Sequence, residues 1–548
     1  MKKWPKIALI IGTIMTLGLV LAACGRQATT SKSDQQTLKL SAQAPLDTID
    51  LAKATGYGQT GNVYESFYRL GAHGKLTPGL AKSTDVSADG KTYTFHLRSN
   101  LKWSNGDSLT AKDFVYSWRR TLSPATKSQY AYLFDGIKNA TQVNKGKTAP
   151  SQLGVSAPDK RTVIVQLEKP IAYFKLLMAY PLFAPQNERV VKQFGKKYAT
   201  QAKYMVYSGP FKMEKWNGTG NHWQFAKNDQ YWDKKVVKLH KITYQVIGNT
   251  TTGVEIYQQK KLSLTLLSNQ QVKNYRTNDQ FKQYPYSLIT YLKWNFHDPD
   301  DANNLATNNQ NIRQAVALSV DRSQLTEKVL GDGSRVPTGF VPGGLATNAA
   351  NGKDFATEQQ VANTVTYNPK LAKQKFAAGL KEIGVNKVSL TLLAADDDPA
   401  STVVTQYLKS QLEKTLPGFT LNIRAIPGKA ANTQGQKGDF DLSLSGWGGD
   451  FNDPITFLQI PQSNTAYNYG KWSDKTYDDL IDRAQNADAN DAAKRWQDLV
   501  DASQHLNRVQ SFTPLYQANY AYLQQKNVHG IIHNTAGTQW NYKYTYIK

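Results

Sequence analysis

A chain of 548 residues is longer than one hydrophobic core can serve, so two or more lobes are expected. Its 40% apolar and 11% aromatic content, with 30 tyrosines and 11 tryptophans, excludes a disordered chain, and no apolar stretch beyond the N-terminus is long enough to span a bilayer. The net charge of +24 is spread along the sequence without a nucleic-acid motif, which argues against nucleic acid and for an anionic envelope surface nearby.

Lys2, Lys3 and Lys6 precede an uncharged, largely apolar run from Ile7 to Leu21, closed by the small residues of Leu21-Ala22-Ala23-Cys24. Residues 1–23 therefore read as a signal peptide, not a fold element. An ordinary secretory signal with an incidental cysteine, or an uncleaved anchor, is the alternative. Cys24 is the sole cysteine, so it cannot form an intrachain disulfide, and its place after the small residues marks it for lipidation by palmitate-type chains. Acyl burial contributes about 0.8 kcal/mol per CH₂ to membrane attachment. Residues 24–36, rich in Ser, Thr, Gln and Lys, suit a lipidated tether.

Lys91 to Arg98 alternates apolar and polar residues, the pattern of a half-buried strand. Thr110 and Asp113 have capping-box spacing, and Phe114, Val115, Trp118 and Leu122 follow at helical intervals until Pro124 stops the helix. Thr162 to Leu167 is a β-branched strand ended by Lys169-Pro170. The irregular, Gly-, Pro- and Asn-rich stretch Gly331 to Lys353 and the polar Asp298 to Gln310 read as linkers. Asn368-Pro369 starts a helix whose Phe376, Leu380 and Ile383 share a face, Gly384 ends it, and Val388 to Leu393 returns as a strand. Such alternation points to an α/β lobe.

Several segments resemble the large peptide/nickel-type family of extracellular solute-binding proteins that serve ABC importers. They are Ser87-Ala-Asp-Gly-Lys-Thr-Tyr-Thr-Phe-His-Leu-Arg98, Leu101-Lys-Trp-Ser-Asn-Gly-Asp107, Thr110 to Arg119, Ser208-Gly-Pro-Phe211, Asn228-Asp-Gln-Tyr-Trp232, Asn311 to Arg322, and Phe440 to Pro454. The likeness is collinear from about Leu38 to the C-terminus. It implies a two-lobed, periplasmic-binding-protein-like α/β fold of three domains with a ligand cleft between the lobes. Domain I would combine 37–70, 204–290 and 515–548, domain II would be the insertion 71–203, and domain III would be 291–514.

The resemblance further implies a binding protein, not an enzyme, that holds oligopeptides in extended form and delivers them to membrane permease subunits. It would work as a monomer on the outer face of the cytoplasmic membrane, without cofactor or metal. Asp450 matches the family aspartate that accepts the peptide's α-amino group, and Asp453 matches a structural partner. Trp447 would wall a side-chain pocket, Gly448 and Gly449 would permit close backbone approach, and Tyr130, Tyr286, Tyr291, Asn295 and Tyr516 occupy comparable cleft-edge stretches. Asp450 would also serve as a turn residue before Asn452-Asp453-Pro454, and each tyrosine as a core residue, on residue type alone. Where relatives carry basic residues for the peptide carboxylate, this chain has Leu444 and Gly435. The cleft tryptophan upstream is replaced near Gly428. The ligand's far end is then free, met by Lys437 or Arg424, or extended further.

Other readings of the residues are an exported hydrolase, the same fold with a chelate, haem, sugar or signalling-peptide ligand, and a surface adhesin. No zinc-protease motif, nucleophile elbow or Walker motif occurs. His529 and His533 have helical ligand spacing but sit in a strand-like or loop-like context, and Asp396-Asp397-Asp398 reads as a solvated turn.

Overall fold

The computed structural model describes residues 36–548 apart from 47, 55, 56, 59, 269 and 298–303. The signal peptide, Cys24 and nearly all of the tether thus lie outside the described residues, as does the first half of the 298–310 linker; Asn304–Asn308 in its second half is a short helix.

Local signals become local structure where the chemistry is strongest. The backbone N–H of Thr110 donates to Asp113 Oδ2 at 2.7 Å, and the helix runs Ala111–Leu122. Its Phe114, Trp118 and Leu122 are fully buried. Asn368 accepts from the N–H of Leu371, Pro369–Ile383 is helical, and Gly384 ends it at φ 72°, a left-handed cap that glycine adopts without strain. The strand Val388–Ala395 follows. Asp398 of the acidic triplet caps the Pro399–Thr415 helix, accepting from the N–H groups of Ala400 and Ser401.

Three larger sheets organise the chain. In the first, Thr37–Ala42 lies parallel to Lys241–Val246, which pairs antiparallel with His222–Lys227 and so to Phe211–Glu214. The second is antiparallel, in the order Ala81–Val86, Thr92–Leu97, Thr162–Gln166, Val155–Ser156. The third is mixed and six-stranded: Leu264–Leu267, Phe512–Gln524, Phe281–Trp294, Leu442–Gly448, Val388–Ala395, Phe419–Ile426. Its parallel members pack against helices, and the edge strand Phe419–Ile426 alternates buried and exposed residues, so one of its faces meets solvent.

The first described residues meet the C-terminal segment. The Gln36 side chain donates to the Ile547 carbonyl and accepts from the Ile547 N–H, while Asn62 bridges the Trp540 carbonyl and the Tyr542 N–H in the same way. The lines drawn at 290/291 and 514/515 fall inside the strands Phe281–Trp294 and Phe512–Gln524, which pair with each other. The register of this pair shifts between Pro285 and Ile289 and again between Thr290 and Tyr291. Such irregularities bend a ladder locally, and here they sit where the expected lobes join.

Gly331 to Lys353 is irregular, as its composition demands, yet it is no free linker. Phe340 and Val341 are fully buried, and the Gly343 N–H donates to the Gln517 side chain. Composition registers the turns but not the apolar pair that pins them.

Candidate ligand cleft

The Leu442–Gly448 strand delivers the central motif. A side chain on Gly449 would press on Phe457 and Ala536 at 3.2 Å, and one on Gly448 on the Tyr286 hydroxyl at 3.0 Å, so glycine lets these neighbours approach closely. The chain then turns through Asp450 to Pro454. The Asp450 N–H donates to Thr456 Oγ1 at 3.0 Å, and the Trp447 indole N–H donates to the Thr456 carbonyl at 2.8 Å. Asp453 takes a bidentate pair from Arg495 at 2.8 and 2.9 Å and accepts from the Ile455 N–H. Asp453 is thus the structural carboxylate of the turn.

Asp450 has a different environment. Its residue is 8% exposed, its Oδ2 accepts from the Tyr132 hydroxyl at 2.6 Å, and no cation pairs with it among the described residues. Burial raises its pKa to about 6, against the opposing pull of the Tyr132 bond. It faces a cavity of about 410 Å³ whose lining includes Gln129, Tyr130, Tyr132, Trp447, Gly448 and Gly449, together with Tyr57, Tyr180, Tyr286, Tyr467 and Gln539. The tyrosines form a continuous aromatic surface. Tyr57 meets Tyr130 edge-on at 5.2 Å, Tyr132 meets Tyr467 at 5.6 Å, and Tyr467 meets Trp447 at 4.8 Å. Desolvation, then the Asp450 charge, raises the pKa of Tyr130, Tyr132, Tyr180 and Tyr467, so these hydroxyls stay protonated as donors.

Beside this cavity runs an open strand edge. Leu442–Gly448 pairs with Phe281–Trp294 along its whole length, but on its other side only Leu442 and Ser443 pair with Val388–Ala395. Among the described residues no strand covers the other edge of Leu444 to Gly448. Trp447 and Gly448 line the first cavity, and Leu444, Ser445, Gly446 and Trp447 line a second of about 370 Å³. A third, of about 680 Å³, shares Tyr132 and Tyr467 with the first and includes Lys169, Tyr173 and Phe451.

The structure brings Asp450, Trp447, Gly448, Gly449, Tyr130 and Tyr286 together. Tyr291 lies in the second cavity, 1% exposed and packed between the Phe340 and Phe512 rings. Asn295 and Tyr516 line none of these three cavities. Asn295 is 0% exposed, and its amide donates to the carbonyls of Gly438 and Phe440, so it ties a loop to the sheet. Tyr516 belongs to the core between the six-stranded sheet and its helices. Tyr57, Tyr132, Tyr180, Tyr467, Gln129 and Gln539 escape the sequence reading; the Tyr130-Ala-Tyr132 spacing was the available signal for Tyr132. Arg424 is held by Asp439, Lys437 is exposed at a helix end, and Leu444, Gly435 and Gly428 all line the second cavity. His529 and His533 lie on separate short strands, and the described residues contain no cluster fit for a metal ion.

Residues 75–469 match the family described as bacterial extracellular solute-binding proteins, family 5 Middle. The chain belongs to that family. Similar curated proteins include the dipeptide-binding protein of Lactococcus lactis subsp. cremoris, 39% identical over 99% of this chain and 100% of its own, and the oligopeptide-binding protein OppA of Bacillus subtilis, 30% identical over 97% of each. Among solved structures, Listeria monocytogenes OppA bound to peptide superposes with a TM-score of 0.80 at 36% identity, covering 94% of this chain and 100% of that one. The fold is accordingly the mixed α/β fold of periplasmic solute-binding proteins, and the family's part in import is substrate binding outside the cytoplasmic membrane, not catalysis.

Proposed function

We propose that this protein captures oligopeptides in extended form and delivers them to the permease of an ABC importer, whose ATPases act on the cytoplasmic side. The observation that carries this reading is a buried carboxylate without a cation, Asp450, at the end of the unpaired edge from Leu444 to Gly448. An extended peptide would add to that edge by backbone hydrogen bonds that depend little on side chains. Its α-ammonium would meet Asp450 and set the register. The three adjoining cavities would take differing side chains, with water filling what each leaves empty.

Similarity to dipeptide- and oligopeptide-binding relatives supports the ligand class. Domain I from 37–70, 204–290 and 515–548, with 71–203 inserted and 291–514 opposite, is supported by the bonds from Gln36 and Asn62 to the C-terminal segment; closure would bend the two long strands near their register shifts. Attachment to the membrane through lipid on Cys24, and action as a monomer, belong to the same proposal. Native mass spectrometry of the gently purified protein, with bound ligands sequenced, tests the function. A mixed population of short peptides is expected; a defined non-peptide ligand would contradict it.

The electrostatics predict a pH profile. The ammonium binds ionised Asp450, so affinity should fall roughly tenfold per unit as pH drops below about 6. It should fall again above about pH 8, where the ligand's own amine deprotonates. The surrounding tyrosines, all raised, add no step between. Calorimetric titration of a C-terminally amidated peptide without acidic side chains from pH 5 to 9 checks this, and a flat acid limb would sink the role given to Asp450.

A further inference from the structure

Resting on the peptide reading above, we propose that Lys293 is the receptor for a ligand carboxylate in the second cavity, and that it sets a preference for peptides presenting one there. Lys293 stands on the Phe281–Trp294 strand with Tyr291, and both line the 370 Å³ cavity along with Leu444, Ser445 and Trp447. The lysine is only 6% exposed. Its ammonium lies 4.5 Å from the Tyr469 ring centre and 5.9 Å from that of Tyr291, and makes one long bond of 3.4 Å to the Tyr467 carbonyl. No carboxylate pairs with it among the described residues, and the polar lining includes the neutral Ser443, Ser445, Asn432 and Gln436. Burial alone pulls its pKa down to about 7.

A buried ammonium of this kind is costly unless an anion arrives, and a lysine serving only the fold would ordinarily find a carboxylate. Tyrosine faces supply part of the compensation but leave the three N–H donors largely unfilled. The cavity adjoins the Asp450 chamber: Trp447 and Tyr467 stand in the walls of both. The two charged ends are also spaced for one ligand. Lys293 is in register with Ser443, five residues before Gly448, which is roughly 17 Å of strand. An extended peptide with its ammonium at Asp450 would bring a carboxylate to Lys293 at about its fourth to sixth residue.

Two sources share this chemistry, the C-terminal carboxylate and an Asp or Glu side chain. The full protein and its Lys293→Met variant are titrated with penta-alanine, its C-terminal amide, and amidated pentapeptides carrying one Glu at position three, four or five. Wild type should bind the free acid at least roughly 30-fold more tightly than the amide, and Lys293→Met should bring the acid down to the amide's level. If acid and amide bind alike but a Glu in the amide series gains that factor, and Lys293→Met abolishes the gain, the carboxylate comes from a side chain. Equal binding of every peptide to wild type, or a discrimination that survives in Lys293→Met, would overturn the proposal while leaving peptide capture standing. If wild type binds no peptide, peptide capture itself fails and this assignment with it. Thermal unfolding keeps the comparison sound, because removing an unpaired buried charge should leave the melting temperature of the unliganded protein unchanged or raise it.

Discussion

Asp450→Asn should lower affinity for free-amino peptides by about 3 kcal/mol or more, roughly 150-fold, because the ligand's ammonium would then be buried without a counter-charge. The change is nearly isosteric, and the amide can still accept from the Tyr132 hydroxyl that now bonds the carboxylate at 2.6 Å. N-acetylated peptides, which lack the ammonium, should bind the variant at least as tightly as wild type, since in wild type they would enclose an unpaired carboxylate. Stability should move the opposite way. Burial holds the Asp450 pKa at about 6, above its ordinary 3.8, so the ionised form is disfavoured by folding and costs stability at neutral pH. That cost is absent below about pH 4, where folded and unfolded chains both carry the proton. The unliganded variant should therefore melt higher than wild type at pH 7.5. Calorimetric titration and thermal unfolding read the two effects. Unchanged affinity would remove Asp450 from the binding site.

Arg495→Met should destabilise the protein by about 3–5 kcal/mol. Arg495 and Asp453 are a mostly buried pair with two short bonds, and the guanidinium also lies 5.8 Å from the Tyr173 ring. Removing the cation leaves the Asp453 carboxylate inside the turn that holds Asp450 in place. Peptide affinity should fall too, through loss of position instead of loss of charge. The double variant Asp453→Asn, Arg495→Met removes both charges and should recover more than half of the lost stability, though not the geometry of the turn. Denaturant unfolding of the three proteins tests this; a single-variant loss below about 1 kcal/mol would show that the pair contributes little, as exposed pairs do.

Much of the local structure was legible because its causes are local. Thr110 with Asp113, and Asn368-Pro369 with Gly384, carry their caps within a few residues, and the helices begin and end there. The motif around Asp450 was legible only through its resemblance to the family, since on residue type alone Asp450 reads as a turn residue; Trp447, Gly448, Gly449 and Asp450 are consecutive and reach the same cavity. What escaped depends on distance. Tyr132 reaches Asp450 across 318 residues of sequence, while Tyr57 and Gln539 come from opposite ends of the chain. Asn295 and Tyr516 illustrate the reverse error, since a polar or aromatic residue near a cleft can instead hold a loop, as Asn295 does through two carbonyls, or fill a core. Lys293 could not be recognised either, because a sequence does not show that a lysine is buried without its anion.

The most direct test of the account is a crystal structure of the protein with a bound free-amino pentapeptide. An extended ligand paired with the open edge from Leu444 to Gly448 is expected, its terminal nitrogen at hydrogen-bond distance from the Asp450 carboxylate. A peptide bound in the opposite direction, or one that leaves both that edge and Asp450 untouched, would contradict it.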